Sequence, residues 1–306
     1  MNESTQLEIQ PRLSSLAPIA VPSRRASRAG IKPRRVAPVF SVTSGKGGVG
    51  KTNVVANLAV ALSHLNKRVL VIDADLGLAN LDLLLGVKPT FTLADFFAGK
   101  AALDEIILAN QDGVLVMPGA SGVQAITSLS AEQKTALLTE FDLLSHEMDL
   151  VLVDTGSGIS DAVTYFTSAA QEIILVVTPE PASMSAAYAL VKVLSSQYRK
   201  QRFWVLANNV CDEKDARYLF NTLCCTALRL LNVSLDFLDW IPRDPKLLAA
   251  VARAQTVVGN DALAPSARAF AGLAEKLLQR TVERVKVKGN LQFFFRRMLE
   301  AGKEER

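Results

Sequence analysis

The stretch SVTSGKGGVGKTNVV, residues 41–55, decides the fold. Its centre fits the pattern G-x-x-x-x-G-K-[ST], in which glycines let backbone N–H groups wrap a chain of phosphates. An apolar run at 38–43 precedes it and a helical pattern at about 51–65 follows it, which is the context that the motif requires. The alternative, a glycine-rich turn with a chance lysine, is disfavoured because motif and context agree. The predicted nucleotide-binding residues of the loop are Gly45, Lys46, Gly47, Gly48, Val49, Gly50, Lys51, Thr52 and Asn53.

Within this loop, Lys51 is predicted to reach the β- and γ-phosphates and Thr52 to ligate Mg²⁺. Three aspartates follow predicted strands: Asp73 and Asp75 after the second, Asp154 after the fourth. Mg²⁺ takes few protein ligands and keeps several waters, so Asp154 and Asp73 are predicted to hold it through water. Asp75 is predicted to orient or activate the attacking water. A lone aspartate at a strand end is often only a cap or turn residue, but three beside one phosphate loop favour a nucleotide site.

Apolar runs alternate with helical patterns along the body of the chain. Several runs are nearly continuous Val, Ile and Leu, as expected for strands buried on both faces. The runs cover 38–43, 68–73, 113–119, 149–154, 172–178, 202–208 and 235–241. Strand–helix alternation at this pitch predicts an α/β fold, a mostly parallel sheet with helices on both faces and ligands beyond the carboxyl ends of the strands.

Composition and charge divide the 306 residues into three parts. Residues 1–37 are rich in Ser, Pro and Arg and carry a net charge of +5, so they are predicted to be a disordered basic extension. Residues 38–280 are predicted to be the nucleotide-binding domain, and residues 38–279 sum to −5, which disfavours nonspecific nucleic-acid binding. Residues 281–306 are predicted to be a basic linker and an amphipathic helix. Three Cys without C-x-x-C spacing and two His argue against a disulfide framework, an iron–sulfur cluster or a zinc site, and favour a reduced, cytoplasmic protein.

A second lysine, Lys46, lies in the loop where a phosphate-binding loop needs only one. KGGVGKT is similar to the deviant Walker A motif of the MinD/ParA class of P-loop ATPases. The segments VLVIDADLGLANLDLLLG (69–86), LVDTGSGISD (152–161) and WIPRDPKLLAAV (240–251) resemble the two switch segments and the base region of that class. The stretches DADLGLANLD, MPGASGVQ, DTGSGISD and RFWVLANN, together with the terminal LQFFFRRML, resemble most one branch of the class, the MinD-like regulators of flagellar number called FlhG or FleN. The resemblance extends over about 38–300.

The resemblance implies roles for individual residues. Lys46 would be the signature lysine, which crosses a nucleotide-sandwich homodimer to the partner's phosphates, so that Lys46, Lys51 and Asp75 form the catalytic set. A second cation of this kind would stabilise the charge of the transition state. Asp154 would serve Mg²⁺, and the cofactors would be ATP and Mg²⁺. Asn208 would contact the adenine, although it is equally typical of a strand-end cap. Pro242 and Asp244 would lie near the base.

The C-terminal segment GNLQFFFRRMLEAG, residues 289–302, has one apolar helical face. The neighbouring charges are basic, which is typical of a helix in an anionic membrane interface. The predicted membrane-binding residues are Leu291, Phe294, Phe295, Met298 and Leu299. The alternatives are a helix docked on its own domain and a helix that binds a protein partner. Since each buried side chain contributes only ~1.5–3 kcal/mol gross, membrane binding is expected to need the two helices of a dimer.

The sequence thus predicts an ATP-dependent, dimerising, membrane-associating ATPase with slow turnover that regulates flagellar number or placement. The expected partners are a second copy, an anionic membrane surface, and a flagellar transcription activator or a flagellar GTPase or C-ring component, with no direct nucleic acid. The expected location is the cytoplasm and, reversibly, the inner face of the cytoplasmic membrane, at the cell pole in some cases. Residues 1–37 lack the D-Q-A-x-x-L-R activator motif of some members. The alternatives are a septum- or cargo-positioning MinD-like ATPase, a ParA-type DNA-partition ATPase, and a metabolic P-loop enzyme or tyrosine kinase.

Overall fold

In the part of the chain that the structure describes, eight strands form one sheet, and all of them run parallel except the short edge strand β3. The spatial order is β3-β4-β2-β5-β1-β6-β7-β8, which places β1 and its loop in the interior of the sheet. The strands are β1 Val39–Ser44, β2 Val69–Ala74, β3 Leu108–Ala109, β4 Leu115–Met117, β5 Leu150–Ser157, β6 Glu172–Val177, β7 Arg202–Val210 and β8 Ser234–Pro242. The seven predicted strands are confirmed, and among the described residues the sequence missed only the two-residue β3.

The computed structural model describes residues 37–75, 80–92, 95–96, 100–119, 138, 140–141, 144, 147–283, 294 and 296. All of them belong to one unit, Arg34–Arg306. The predicted basic extension therefore lies, except for Ala37, outside the described residues. None of the helices in the described part of the chain is long and apolar enough to cross a membrane.

The helices cover both faces of the sheet, as the alternation predicted. They are α1 Lys51–His64, α2 Leu81–Leu85, α3 Leu103–Ile106, α4 Asp161–Ala169, α5 Pro181–Tyr198, α6 Glu213–Leu230, α7 Pro245–Val251, α8 Val257–Asn260 and α9 Pro265–Glu283. Successive strand residues point to opposite faces, so Ile174 packs into the core under α1 and α9 while Ile173 and Leu175 pack into the core under α5 and α6.

Most of helix α1 lies within this core because its central residues are apolar on nearly every side. Ten of its fourteen residues are buried, and Leu58 and Leu62 are fully so. A helix that is apolar all round is stable only when other elements cover it, and here the sheet and α9 do so. Removal of a side chain such as Leu58 would cost about 2–5 kcal/mol of folding free energy. The packing fixes the N-terminus of α1, and with it the phosphate loop.

Candidate nucleotide site

The loop between β1 and α1 is held against the N-terminal half of α5. A Cβ atom added to Gly45 would lie 2.1 Å from the carbonyl of Ala186, so this position accepts no side chain. Gly48 and Gly50 have φ values of 78° and 85°, a backbone conformation that favours glycine. The loop leads directly into α1, whose N-terminal N–H groups face any anion bound there. The geometry is that of the predicted phosphate cradle.

Lys51 and Asp154 form a buried ion pair at the base of the loop. The Lys51 Nζ atom lies 2.7 Å from Asp154 Oδ1, and both side chains are nearly inaccessible. Burial raises the pKa of Asp154, against the opposing effects of the Lys51 ammonium and of a hydrogen bond from Thr52. Lys51, Thr52 and Asp154, which the sequence assigned to phosphate and metal binding, therefore lie together. The Lys51 ammonium has three donors, so it can keep Asp154 while it reaches a phosphate.

Asp73 lies beside Asp154 at the carboxyl ends of β2 and β5. The two residues are direct partners in the parallel register. Burial is the main reason why the pKa of Asp73 is raised to about 7, although the backbone N–H of Asp75, 3.0 Å away, lowers it. The nearby carboxylates of Asp154 and Asp75 raise it further. The structure therefore holds a carboxyl whose burial outweighs the compensating positive charge of Lys51.

These oxygens fit a magnesium ion in the company of a nucleotide. Thr52 lies close enough to Asp154 to lower the pKa of that carboxyl, and an added cation would compensate the buried carboxyls of Asp73 and Asp154, which are register partners. Among the described residues, no group of three or more His, Cys, Asp or Glu could hold a metal ion without other ligands. Mg²⁺ needs no such cage, since it usually takes one or two carboxylates together with phosphates and water. Thr52, Asp73 and Asp154 would hold it, and when bound it would neutralise phosphate charge.

Asp75 lies at the start of the segment that follows β2. Its carboxylate would come within 3.6 Å of a Cβ atom on Gly156, so it lies against the end of β5. Residues 76–79 are outside the described part of the chain. The structure thus places Asp75 at the same sheet edge as Asp73 and Asp154, while its role toward water stays a prediction.

Lys46 is paired with a residue that the sequence did not identify. Its ammonium forms an ion pair with Glu180, which directly precedes α5, and the Lys46 side chain remains 39% exposed. The two loop lysines therefore differ, because Lys51 is buried inside the site and Lys46 lies at its surface. The approach of α5 to Gly45 brings Glu180 to the loop across 134 residues of sequence. A glutamate before a proline gave no signal of this contact.

The three residues predicted to lie near the base, Asn208, Pro242 and Asp244, have different surroundings in the structure. Asn208 is buried, and its side chain donates a hydrogen bond to the carbonyl of Val49, which places it at the loop. Pro242 ends β8 in register with Val210. Both carboxylate oxygens of Asp244 are engaged: one accepts from Lys246 N at the start of α7, the other from Ser266 at the start of α9. Asp244 thus has a structural role as a cap for two helices, and contact with a base stays a prediction.

The predicted membrane face is described only at Phe294. Phe294 is helical and fully buried, in a core cluster that includes Val39, Leu70 and Phe166. Leu291, Phe295, Met298 and Leu299 lie outside the described residues. This chain conformation therefore shows Phe294 docked on its own domain, which the sequence treated as the alternative to membrane binding. A membrane-bound state would have to withdraw it from this cluster.

Comparison with known proteins places the site in a family. The family model described as "ParA: NUBPL iron-transfer P-loop NTPase" matches residues 35–278. The chain is 41% identical to "Antiactivator FleN" of Pseudomonas aeruginosa over 86% of this chain and 93% of that protein. It is 34% identical to "Flagellum site-determining protein YlxH" of Helicobacter pylori, over 85% and 89%. The solved structure of the septum site-determining protein MinD with Mg-ADP from Pyrococcus horikoshii has a TM-score of 0.64 and 28% identity, over 83% of this chain and all of that one.

The chain therefore belongs to the ParA family of P-loop NTPases. It is a P-loop ATPase of the MinD/ParA class, and its relatives include the antiactivator FleN and the flagellum site-determining protein YlxH. Among the described residues, which include all three cysteines of the chain, no group of three or more His, Cys, Asp or Glu could hold a metal ion. Cys211 and Cys225 are exposed, Cys224 is half-buried, and burial raises the pKa of the Cys224 thiol to about 11. A thiol of this kind is a poor metal ligand at neutral pH.

Proposed function

We propose that this ATPase is an ATP-dependent dimerising switch that regulates the number or placement of flagella. The observation that carries the switch is the contrast between the two loop lysines. Lys51 is buried beside Asp154, whereas Lys46 lies at the surface and is held by Glu180. A cation at the surface of one phosphate site is well placed to act on the phosphates of a second copy. ATP and dimer then stabilise each other reciprocally.

The cofactors of the switch are ATP and Mg²⁺. Asp75 orients the attacking water, Lys51 and the loop amides hold the phosphates, and Lys46 of the other copy adds positive charge to the transition state. Hydrolysis removes the γ-phosphate that both subunits share, so the dimer separates. Turnover is slow because the complete site exists only in the dimer.

The flagellar role is supported by the relatives rather than by the site. The names of the two relatives are an antiactivator and a flagellum site-determining protein, and the matches extend over most of each chain. We infer that the ATP-bound dimer acts on a flagellar transcription activator. A flagellar GTPase is less favoured as the partner, because residues 1–37 lack the D-Q-A-x-x-L-R activator motif.

Membrane association completes the proposed cycle. The basic, aromatic segment 289–302 suits an anionic membrane, while Phe294 lies docked on the domain in the single chain. We propose that the docked and membrane-bound states alternate, and that the dimer favours the second because it presents two helices. The protein would then move between the cytoplasm and the inner face of the cytoplasmic membrane.

Deletion of the gene in the source organism tests the flagellar role. Flagella are counted by electron microscopy after deletion and after complementation with wild type or with Lys46→Ala. An altered number, restored by wild type and not by Lys46→Ala, supports the proposal. Minicells with unchanged flagella would favour a septum-positioning role instead. ATP-dependent, salt-sensitive retention of residues 38–279 on DNA would favour DNA partition, which the charge of −5 on those residues disfavours.

A further inference from the structure

The side chain of Asn208 joins the end of β7 to the phosphate loop. Its Nδ2 atom lies 2.7 Å from the carbonyl oxygen of Val49 and donates a hydrogen bond to it. Both residues are buried, and they are 159 positions apart in the sequence. A buried carbonyl that loses its donor costs more than a hydrogen bond at the surface gains. The contact therefore constrains the loop and not only the strand.

Asn208 and Asn209 are consecutive, and the backbone of β7 directs only the Asn208 side chain toward the loop. Asn208 is in register with Ile241 of β8, and the pairing becomes irregular before Val210. At that irregularity Asn209 adopts a φ of 58° and its side chain is exposed. Only the first of the two consecutive amides thus points into the site. Asn209 is a natural control for it.

The hydrogen bond from Asn208 is made to the peptide group between Val49 and Gly50, the last glycine of the loop. A Cβ atom on Gly50 would lie 2.7 Å from Asn208 Nδ2, so the amide packs directly on that residue. A trans peptide is planar, and its carbonyl and N–H point in opposite directions. The Val49 carbonyl that Asn208 holds therefore fixes the direction of the Gly50 N–H. That N–H is one of the backbone donors with which such a loop surrounds phosphates.

We propose that Asn208 is a positioning residue for phosphate binding, which orients the Val49–Gly50 peptide whatever base the nucleotide carries. A contact with adenine alone would affect only ligands that have the base. A positioning role affects every ligand that has the triphosphate. The two roles thus differ in a measurable way.

The test is calorimetric titration of the full chain with Mg-ATP and, separately, with magnesium and inorganic triphosphate. Asn208→Ala is expected to weaken both ligands by a similar factor, about tenfold to a hundredfold, since the Val49 carbonyl loses its buried donor. Asn208→Ser gives a second variant, with a side chain too short to replace the amide, in case the alanine variant folds poorly. Circular dichroism in the absence of ligand checks the fold of each.

Asn209→Gly is the matched control, because it removes the neighbouring amide at a positive φ that glycine adopts without strain. It is expected to leave the affinity for both ligands within about twofold. The proposal is overturned if Asn208→Ala and Asn208→Ser weaken ATP but leave inorganic triphosphate unchanged, which is the result of a base contact. It is also overturned if neither ligand is weakened.

Discussion

Replacement of Asp73 by asparagine should stabilise the nucleotide-free protein, and more so at higher pH. The folded pKa of Asp73 is about 7 and its ordinary value is 3.8. Between these values the folded carboxyl binds a proton that the unfolded one has lost, so the stability of the wild type falls as the pH rises through this window. Above pH 7 the loss is complete. At about 1.4 kcal/mol per unit, the raised pKa costs the wild type about 2 kcal/mol at pH 5 and about 4 kcal/mol at pH 8.

The asparagine side chain of the Asp73→Asn variant carries no charge at either pH and therefore avoids this cost. The free energy of unfolding of Asp73→Asn should exceed that of the wild type by the same amounts, measured by urea denaturation at pH 5, 6, 7 and 8 with EDTA and without nucleotide. Asp104→Asn, at an exposed position in α3, is the control for the loss of an aspartate. The Asp73→Asn variant should also lose ATPase activity, because the substitution removes a charge from the predicted metal site. A stability difference that is the same at all four pH values would refute the assignment of Asp73 as a buried carboxyl with a raised pKa.

Three further predictions concern the remaining parts of the site. Lys51→Ala should abolish ATP-driven dimerisation. It should also lower the free energy of unfolding by about 3–5 kcal/mol, because Asp154 is left buried without its partner. Unchanged dimer formation with ATP, measured by light scattering, would contradict the loop assignment. Asp75→Ala should bind ATP, accumulate as a dimer and hydrolyse ATP about a hundredfold more slowly in a phosphate-release assay, because the attacking water loses its general base. Normal turnover would show that Asp75 does not act on the water. Removal of 289–306 should abolish sedimentation with anionic liposomes and leave ATP-driven dimerisation intact; retained liposome binding would place the membrane site elsewhere.

The strands and the phosphate loop were predictable because their signals are local. A run such as 149–154 is apolar on both faces, and only a strand covered from both sides buries it. The carboxyl ends of parallel strands meet at one edge of the sheet, so the sequence predicted that Asp73 and Asp154 lie at the same edge. The short strand β3 gave no such signal, because two residues carry no periodicity.

The contacts that refine the site were not predictable, because they depend on how distant elements pack. Glu180 reaches Lys46 only because α5 lies directly on Gly45. Asp244 lies near the predicted base region, yet its carboxylate is used to cap α7 and to hold the start of α9. The apolar stripe that contains Phe294 is equally suited to a membrane and to a core. Periodicity shows that a face is apolar, and packing decides what covers it.

The central claim is that Lys46 links ATP binding to dimerisation by contacting the phosphates bound to the second subunit. Sedimentation velocity on the Asp75→Ala background tests this claim most directly. Asp75→Ala should sediment as a dimer with Mg-ATP and as a monomer with Mg-ADP. The double variant Lys46→Ala, Asp75→Ala should bind a fluorescent ATP analogue with an affinity within a few-fold of the single variant, because Lys51 and the loop amides remain, and should sediment as a monomer with either nucleotide. A double variant that binds ATP and forms the dimer as fully as Asp75→Ala would contradict the account.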